Sequence, residues 1–271
     1  MRYEIMGPLC VGDDTGKHSI GARKIQVFLT VLLVRADHIV SVDQLMEEIW
    51  GEHPPRRASA GIHVYVSQIR KFLHRPDRAE SPLVTMAPGY LLRLGSDELD
   101  YRRFGQLVKR GREHAREKRH EPAAADFEAA LALWRGPLLA DMLCGPILEG
   151  FRTWLDEARL ECVDMLIESQ LLLGRHRELV SDLYQLTAEY PLREALHCHL
   201  MLALYRCGRR ADALQVYHSA RKTLNEMLGL EPCQDLQTLQ RAILTSDHWL
   251  NLRSHRDHAH QGHAARLAPS H

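Results

Sequence analysis

The segment from Arg56 to His74 (RRASAGIHVYVSQIRKFLH) does most to limit what this chain can fold into. At about 100° per residue, Ile62, Val66, Ile69 and Leu73 fall within about 60° of one another, so the segment predicts a helix with one buried stripe. The opposite side then carries Arg57, Ala60, Val64, Ser67, Gln68 and Lys71, with Arg56, His63, Arg70 and His74 on the flanks. Arg56, Arg57, Arg70, Lys71, Arg75 and Arg78 face a single nearby acid, Asp77, while the whole chain is balanced at 35 basic and 35 acidic side chains. A local excess on a neutral protein is placed rather than compositional, and it points to a phosphate-rich partner.

The surroundings say what kind of partner. Arg2–Met6 and Leu9–Val11 read as short strands around a Gly7-Pro8 break, and Ala22–Ala36 as a first helix. Ser41 opens a second helix with Gln44 completing a capping box and Leu45, Ile49 and Trp50 on its apolar side; Gly51 and Pro54-Pro55 end it. After the basic helix come Leu83–Met86 and Tyr90–Leu94 around Ala87-Pro88-Gly89, where Pro then Gly suit a type II turn. Three helices followed by a hairpin describe a winged helix-turn-helix. On such a frame the outward face suits a major groove. Arg57, Ala60, Val64, Ser67 and Gln68 are placed to read base edges or touch a thymine methyl, and Arg56, His63, Arg70, Lys71 and His74 to hold phosphates. The competing reading is a solvated basic face on a structural helix; against it stand the lack of acids on that face and the outward Val64.

From Asp100 the pattern is helical only, with candidate helices at 101–118, 122–134, 146–173, 176–189, 192–206, 210–228 and 233–245. Gly174-Arg175 and Gly208-Arg209 recur 34 residues apart, the period of tetratricopeptide-type hairpins. The fold class expected is therefore mainly α: a winged helix-turn-helix over 1–96 with small β elements, a tetratricopeptide-like all-α domain over 97–246, and a His-rich disordered tail over 247–271. No phosphate loop, zinc-protease or serine-hydrolase motif is present, so no catalytic residue, cofactor or metal is expected. Asp156, Glu157 and Glu161 read as a solvated face, the Trp134–Leu139 segment as a structural corner, and the six cysteines as buried free thiols. With no signal peptide and no membrane-length apolar run, a cytoplasmic, nucleoid-associated protein is expected.

Together GPLCV (7–11), VSVDQLMEEIWGEHPP (40–55), the Ile62–Leu73 run, APGYLL (87–92), LWRGPLL (133–139), LLGRHRELV (172–180), YPLRE (190–194), LMLALYRCGRRADALQVY (200–217) and LGLEP (228–232) make the chain resemble the Streptomyces antibiotic regulatory protein family, in its short form. The resemblance implies an OmpR-type winged helix, the DNA-binding domain familiar from phosphorelay regulators, followed by a bacterial transcriptional activation domain. It further implies an activator of an antibiotic (secondary-metabolite) gene cluster. Two protomers would lie side by side on direct repeats near the promoter −35 region and recruit RNA polymerase holoenzyme through its σ subunit. Arg23, Lys24 and Thr85 would approach the DNA backbone. One departure stands out: such hairpins often carry an arginine for the minor groove, and this one offers Met86 and Ala87. The alternative function is a helical-repeat interaction adaptor with only weak, non-specific DNA affinity.

Overall fold

A computed structural model describes residues 1–13, 16–75, 80–138, 145–247 and 250. Contacts group the chain into two units, Met1–Met165 and Leu166–His271. The tail beyond 250 and Cys144, Asp77 and Arg78 lie outside the described residues.

The first unit opens with β1 (Arg2–Glu4), β2 (Cys10–Asp13) and β3 (Gly16–His18), then α1 (Arg23–Val34), β4 (Val40–Ser41), α2 (Val42–Trp50) and α3 (Ala58–Phe72). The strands β5 (Leu83–Met86), β6 (Gly89–Leu92) and β7 (Glu98–Leu99) follow. One sheet has the order β3-β2-β1-β7, with β1 antiparallel to β2 and parallel to β7; the other has the order β4-β6-β5, all antiparallel. The sequence reading missed β3, β4 and β7, because strands of two or three residues carry almost no periodic signal.

α1 is apolar nearly all round and forms the centre of the core: eight of its residues, Ile25 and Val27 through Leu33, are buried. Phe28 meets Tyr65 and Tyr90 at ring-centroid distances of 6.4 and 6.2 Å. The capping box opens α2 as its residues dictate: the Gln44 N–H donates to Ser41 Oγ at 3.2 Å, and the Ser41 N–H donates to Gln44 Oε1 at 3.0 Å.

The hairpin turn differs from expectation. The Ala87–Pro88 peptide is cis, and Gly89 sits in strand β6 without a positive φ, so the turn is not type II. Gly89 is needed for space instead. A Cβ there would stand 1.9 Å from the Val40 carbonyl oxygen and 2.7 Å from Ser41 Cα, where β6 pairs with β4.

α4 (Asp100–Arg116) and α5 (His120–Leu131) pack as a pair. Arg110 clamps the buried Asp126 across them, its Nε 2.9 Å from both carboxylate oxygens, with His114 Nδ1 at 3.1 Å. These partners hold the Asp126 carboxyl below the usual range, the Arg110 hydrogen bond most of all. α6 (Pro146–Leu172) begins in this unit, and its Leu148 joins the same core as α1 and α3.

The second unit holds the end of α6, then α7 (His176–Glu189), α8 (Glu194–Arg206), α9 (Arg210–Leu228) and α10 (Gln234–Thr245). α8 packs on α7, α9 and α10. The 34-residue recurrence is structural. Gly174 and Gly208 have φ of 81° and 78°, and each is followed by an arginine whose N–H closes the preceding helix, Arg175 onto the Gln170 carbonyl at 3.0 Å and Arg209 onto the Leu204 carbonyl at 2.9 Å. His197 is buried and its Nε2 lies 2.9 Å from the Pro191 carbonyl, so it is a satisfied packing histidine. The cysteines are less uniformly buried than expected: Cys162 is buried, Cys10, Cys198 and Cys207 are half-buried, and Cys233 at the start of α10 is exposed.

Candidate nucleic-acid interface

Ile62, Val66 and Ile69 of α3 and Leu73 at its C-cap are all buried, which fixes the rotation of the helix and turns its other side outward. Arg57, Ala60, Val64, Ser67, Gln68 and Lys71 are exposed together, along with Arg56, His63 and His74. Val64 is 53% exposed, a β-branched apolar side chain in the middle of a polar face. No acidic side chain occurs from Arg56 to His74. Such a strip has hydrogen-bonding and methyl groups along its middle and cations at its rims, the chemistry that base edges and phosphates require.

The hairpin is held against this helix. Arg70 is half-buried; its Nε donates to the Leu83 carbonyl at 3.1 Å and its Nη2 to Thr85 Oγ1 at 2.8 Å. On the same edge His63 Nδ1 lies 3.2 Å from the Tyr90 hydroxyl. His63, Arg70 and Thr85, three residues expected at phosphates, thus meet in one cleft of about 260 Å³ that Val66, Ser67 and Tyr90 complete. Met86 at the hairpin tip is 40% exposed. Just beyond the C-terminal end of α3, Arg75 is ion-paired with Asp13 of β2, so it is engaged within the protein.

Arg23 and Lys24 are exposed at the start of α1. Lys24 Nζ stands 5.2 Å over the Trp50 ring, and that ring stacks on Tyr65 of α3 at 6.0 Å and 24°. The aromatic pair forms a floor between α2 and α3, and the edge of Trp50 lies 3.4 Å from where a Cβ of Gly61 would be.

In the same unit are two buried carboxylates that sequence reasoning passed over. Glu48 of α2 is 3% exposed, and it accepts the N–H of Ile147 at 2.5 Å and of Leu148 at 3.3 Å in the first turn of α6. Asp100 is 6% exposed and accepts the N–H groups of Ile5 and Met6, each at 2.8 Å, and of Tyr101 at 2.8 Å. Burial raises both carboxyls above their ordinary values, and those N–H bonds pull in the other direction. The signal for Glu48 was there to see: it stands three residues after Leu45, on the apolar side of an amphipathic helix. The Trp134–Leu139 segment, read as a corner, does more than turn. The Arg135 N–H donates to the Met6 carbonyl at 2.8 Å and its Nη1 to the Pro8 carbonyl at 3.2 Å.

Residues 21–92 match the family "Transcriptional regulatory protein, C terminal", and residues 99–244 match "Bacterial transcriptional activator domain". The regulatory protein DnrI of Streptomyces peucetius is 34% identical over 253 residues, which are 91% of this chain and 93% of that protein. The transcriptional regulator RedD of Streptomyces coelicolor is 34% identical over 94% of this chain and 73% of its own length. AfsR of the same organism is 37% identical over 91% of this chain, which spans only 24% of that longer protein. The structure of Mycobacterium tuberculosis EmbR in complex with a low-affinity phosphopeptide superposes with a TM-score of 0.84 at 33% identity, over 90% of this chain and 65% of that one. Among the described residues no helix is long and apolar enough to cross a membrane. A basic, acid-free helix face held by a hairpin, followed by an activator-type helical domain, makes this chain a member of the Streptomyces antibiotic regulatory protein family of DNA-binding transcriptional regulators.

Proposed function

We propose that the protein is a cytoplasmic, sequence-specific activator of a secondary-metabolite (antibiotic) gene cluster, with α3 lying in the major groove of direct repeats upstream of the promoter. The outward, acid-free face of α3 carries this reading. Arg57, Ala60, Val64, Ser67 and Gln68 are assigned to base edges. Arg23, Lys24, Arg56, His63, Lys71, His74 and Thr85 are assigned to phosphates, with Arg70 holding the hairpin edge beside them. A second protomer on the adjacent repeat and RNA polymerase holoenzyme with its σ subunit are the assigned partners. Domain limits of 1–96 for DNA contact and 97–246 for activation belong to the same proposal.

Selection of bound fragments from genomic DNA supplies the operator, and two substitutions then test the roles. Gln68→Ala costs roughly 1–3 kcal/mol on the selected site and relaxes preference at one base position, whereas Lys71→Ala weakens binding to all sequences alike. Equal losses on selected and random DNA for Gln68→Ala would remove it from base reading.

A further inference from the structure

Glu48 sits where the helix-turn-helix meets the segment that follows it. Its carboxylate caps the first turn of α6, satisfying the Ile147 and Leu148 N–H groups that a helix start leaves without partners. The fit is close. A Cβ on Gly145, just before α6, would stand 2.7 Å from Glu48 Cα and 2.8 Å from its Cδ. Two residues beyond Glu48 on α2, Trp50 stacks on Tyr65 and abuts Gly61, both on the DNA-facing helix. The α6 first turn is thus joined to α3 through the last turns of α2, and Leu148, Ile49, Trp50 and Tyr65 belong to one hydrophobic cluster. Asp100 at the start of α4 and Arg135 after α5 are likewise bonded to Ile5 and Met6, beside β1.

We infer that Glu48 is a positioning residue for DNA recognition: it couples the first turn of α6, in the activator-domain segment, to the setting of α3. For its DNA consequence this rests on the reading above; the coupling itself does not. Displacing the α6 turn is felt at α3 although no α6 residue is assigned to DNA, because a buried carboxylate separated from its donors must find others or drag α2 with it.

The test uses the full chain with three variants made separately: Glu48→Ala, Gly145→Ala and Glu48→Gln. Amide exchange of the free protein and binding to the selected site are followed for each. Glu48→Ala and Gly145→Ala are expected to speed exchange at Ile147 and Leu148 about tenfold, the scale of one lost charge-assisted hydrogen bond. Exchange in α2 and α3 rises with it, while α8 and α9 keep wild-type protection. Affinity for the selected site falls about five- to tenfold with an unchanged salt dependence, since no phosphate contact is removed. Glu48→Gln keeps one acceptor oxygen but sets its NH2 against the other N–H donor, so it is expected to fall between wild type and Glu48→Ala in both measurements.

Faster exchange confined to α6, with α3 protection and DNA affinity unaltered in Gly145→Ala, would make Glu48 a local cap and overturn the coupling. If Glu48→Ala unfolds the unit, Gly145→Ala, which leaves every hydrogen-bonding group in place, decides by the same two readouts. A wild-type protein without DNA affinity would defeat the proposed function, and the exchange pattern would still decide the coupling.

Discussion

Arg70 offers the sharpest separation between a cation that holds the protein together and one that holds DNA. Arg70→Ala removes a charged donor from the carbonyl of buried Leu83 and a second bond, at the surface, to Thr85. A charge-assisted bond to a partly buried acceptor contributes about 1.5 kcal/mol, and the exposed one adds a few tenths. The expected loss is therefore about 1.5–2 kcal/mol, or about 5 °C in the melting of a unit of this size. DNA affinity falls as well, because the hairpin edge no longer tracks α3. The distinguishing measurement is affinity at several salt concentrations. Each phosphate neutralised contributes about −0.9 to the log–log slope, so a positioning arginine leaves the slope as it was while a phosphate-bound one lowers it by nearly one. Melting by chemical denaturant alongside DNA titration decides the matter. An unchanged melting transition with a slope reduced by one would mean that Arg70 leaves the hairpin for the DNA backbone, and its role in holding the hairpin to α3 would be refuted.

Gly89→Ala places a methyl group into the Val40 carbonyl and should cost about 3 kcal/mol, at the upper end for overpacking because the obstacle is backbone. Fast amide exchange of the β4–β6 pairing is the check, and wild-type protection there would contradict it. Alkylation of the native chain at pH 8 should modify exposed Cys233 well before Cys162 and Cys198, whose thiols burial pushes up to about 12; equal rates for the three would show that this burial is not maintained. The carboxyls give opposite pH responses. Asp126, held below the ordinary 3.8, stabilises the fold above that value, and its contribution disappears as pH falls through its folded value. Glu48 is raised above 4.5, so the stability linked to it is present below 4.5 and declines as pH rises through its folded value. Denaturant titrations of Asp126→Asn and Glu48→Gln should flatten the stability profile below 3.8 and above 4.5 respectively; the same window for both would refute the assignment.

The legible parts of the fold were those with long periods. α3, α1 and every helix from α4 to α10 announce themselves through repeated apolar spacing, and the α2 start through a capping box. The core side of α3 followed from the same spacing, and with it the composition of the outward face. What escaped were short-range or long-range matters that periodicity does not encode. Two-residue strands such as β4 and β7 exist only because a partner strand is present. The Ala87-Pro88-Gly89 string suits a type II turn by residue type, while the close approach of the Val40 carbonyl to Gly89 comes from 49 residues away in sequence. Arg70 and Arg75 looked like free cations because their acceptors, Leu83, Thr85 and Asp13, come from other elements. Glu48 and Asp100 drew no reading of their own, since most of their N–H donors also come from distant parts of the chain.

The matched glycine–arginine corners after α6 and α8 bear on how a chain of this kind can change length. Joining Gly174 directly to Arg209 would remove one full helical pair and regenerate an equivalent corner from the same two residue types. Insertion of such a segment works by the same rule. Growth and shrinkage of the array by whole hairpins thus proceed in steps of 34 residues, because that length returns the chain to an equivalent corner.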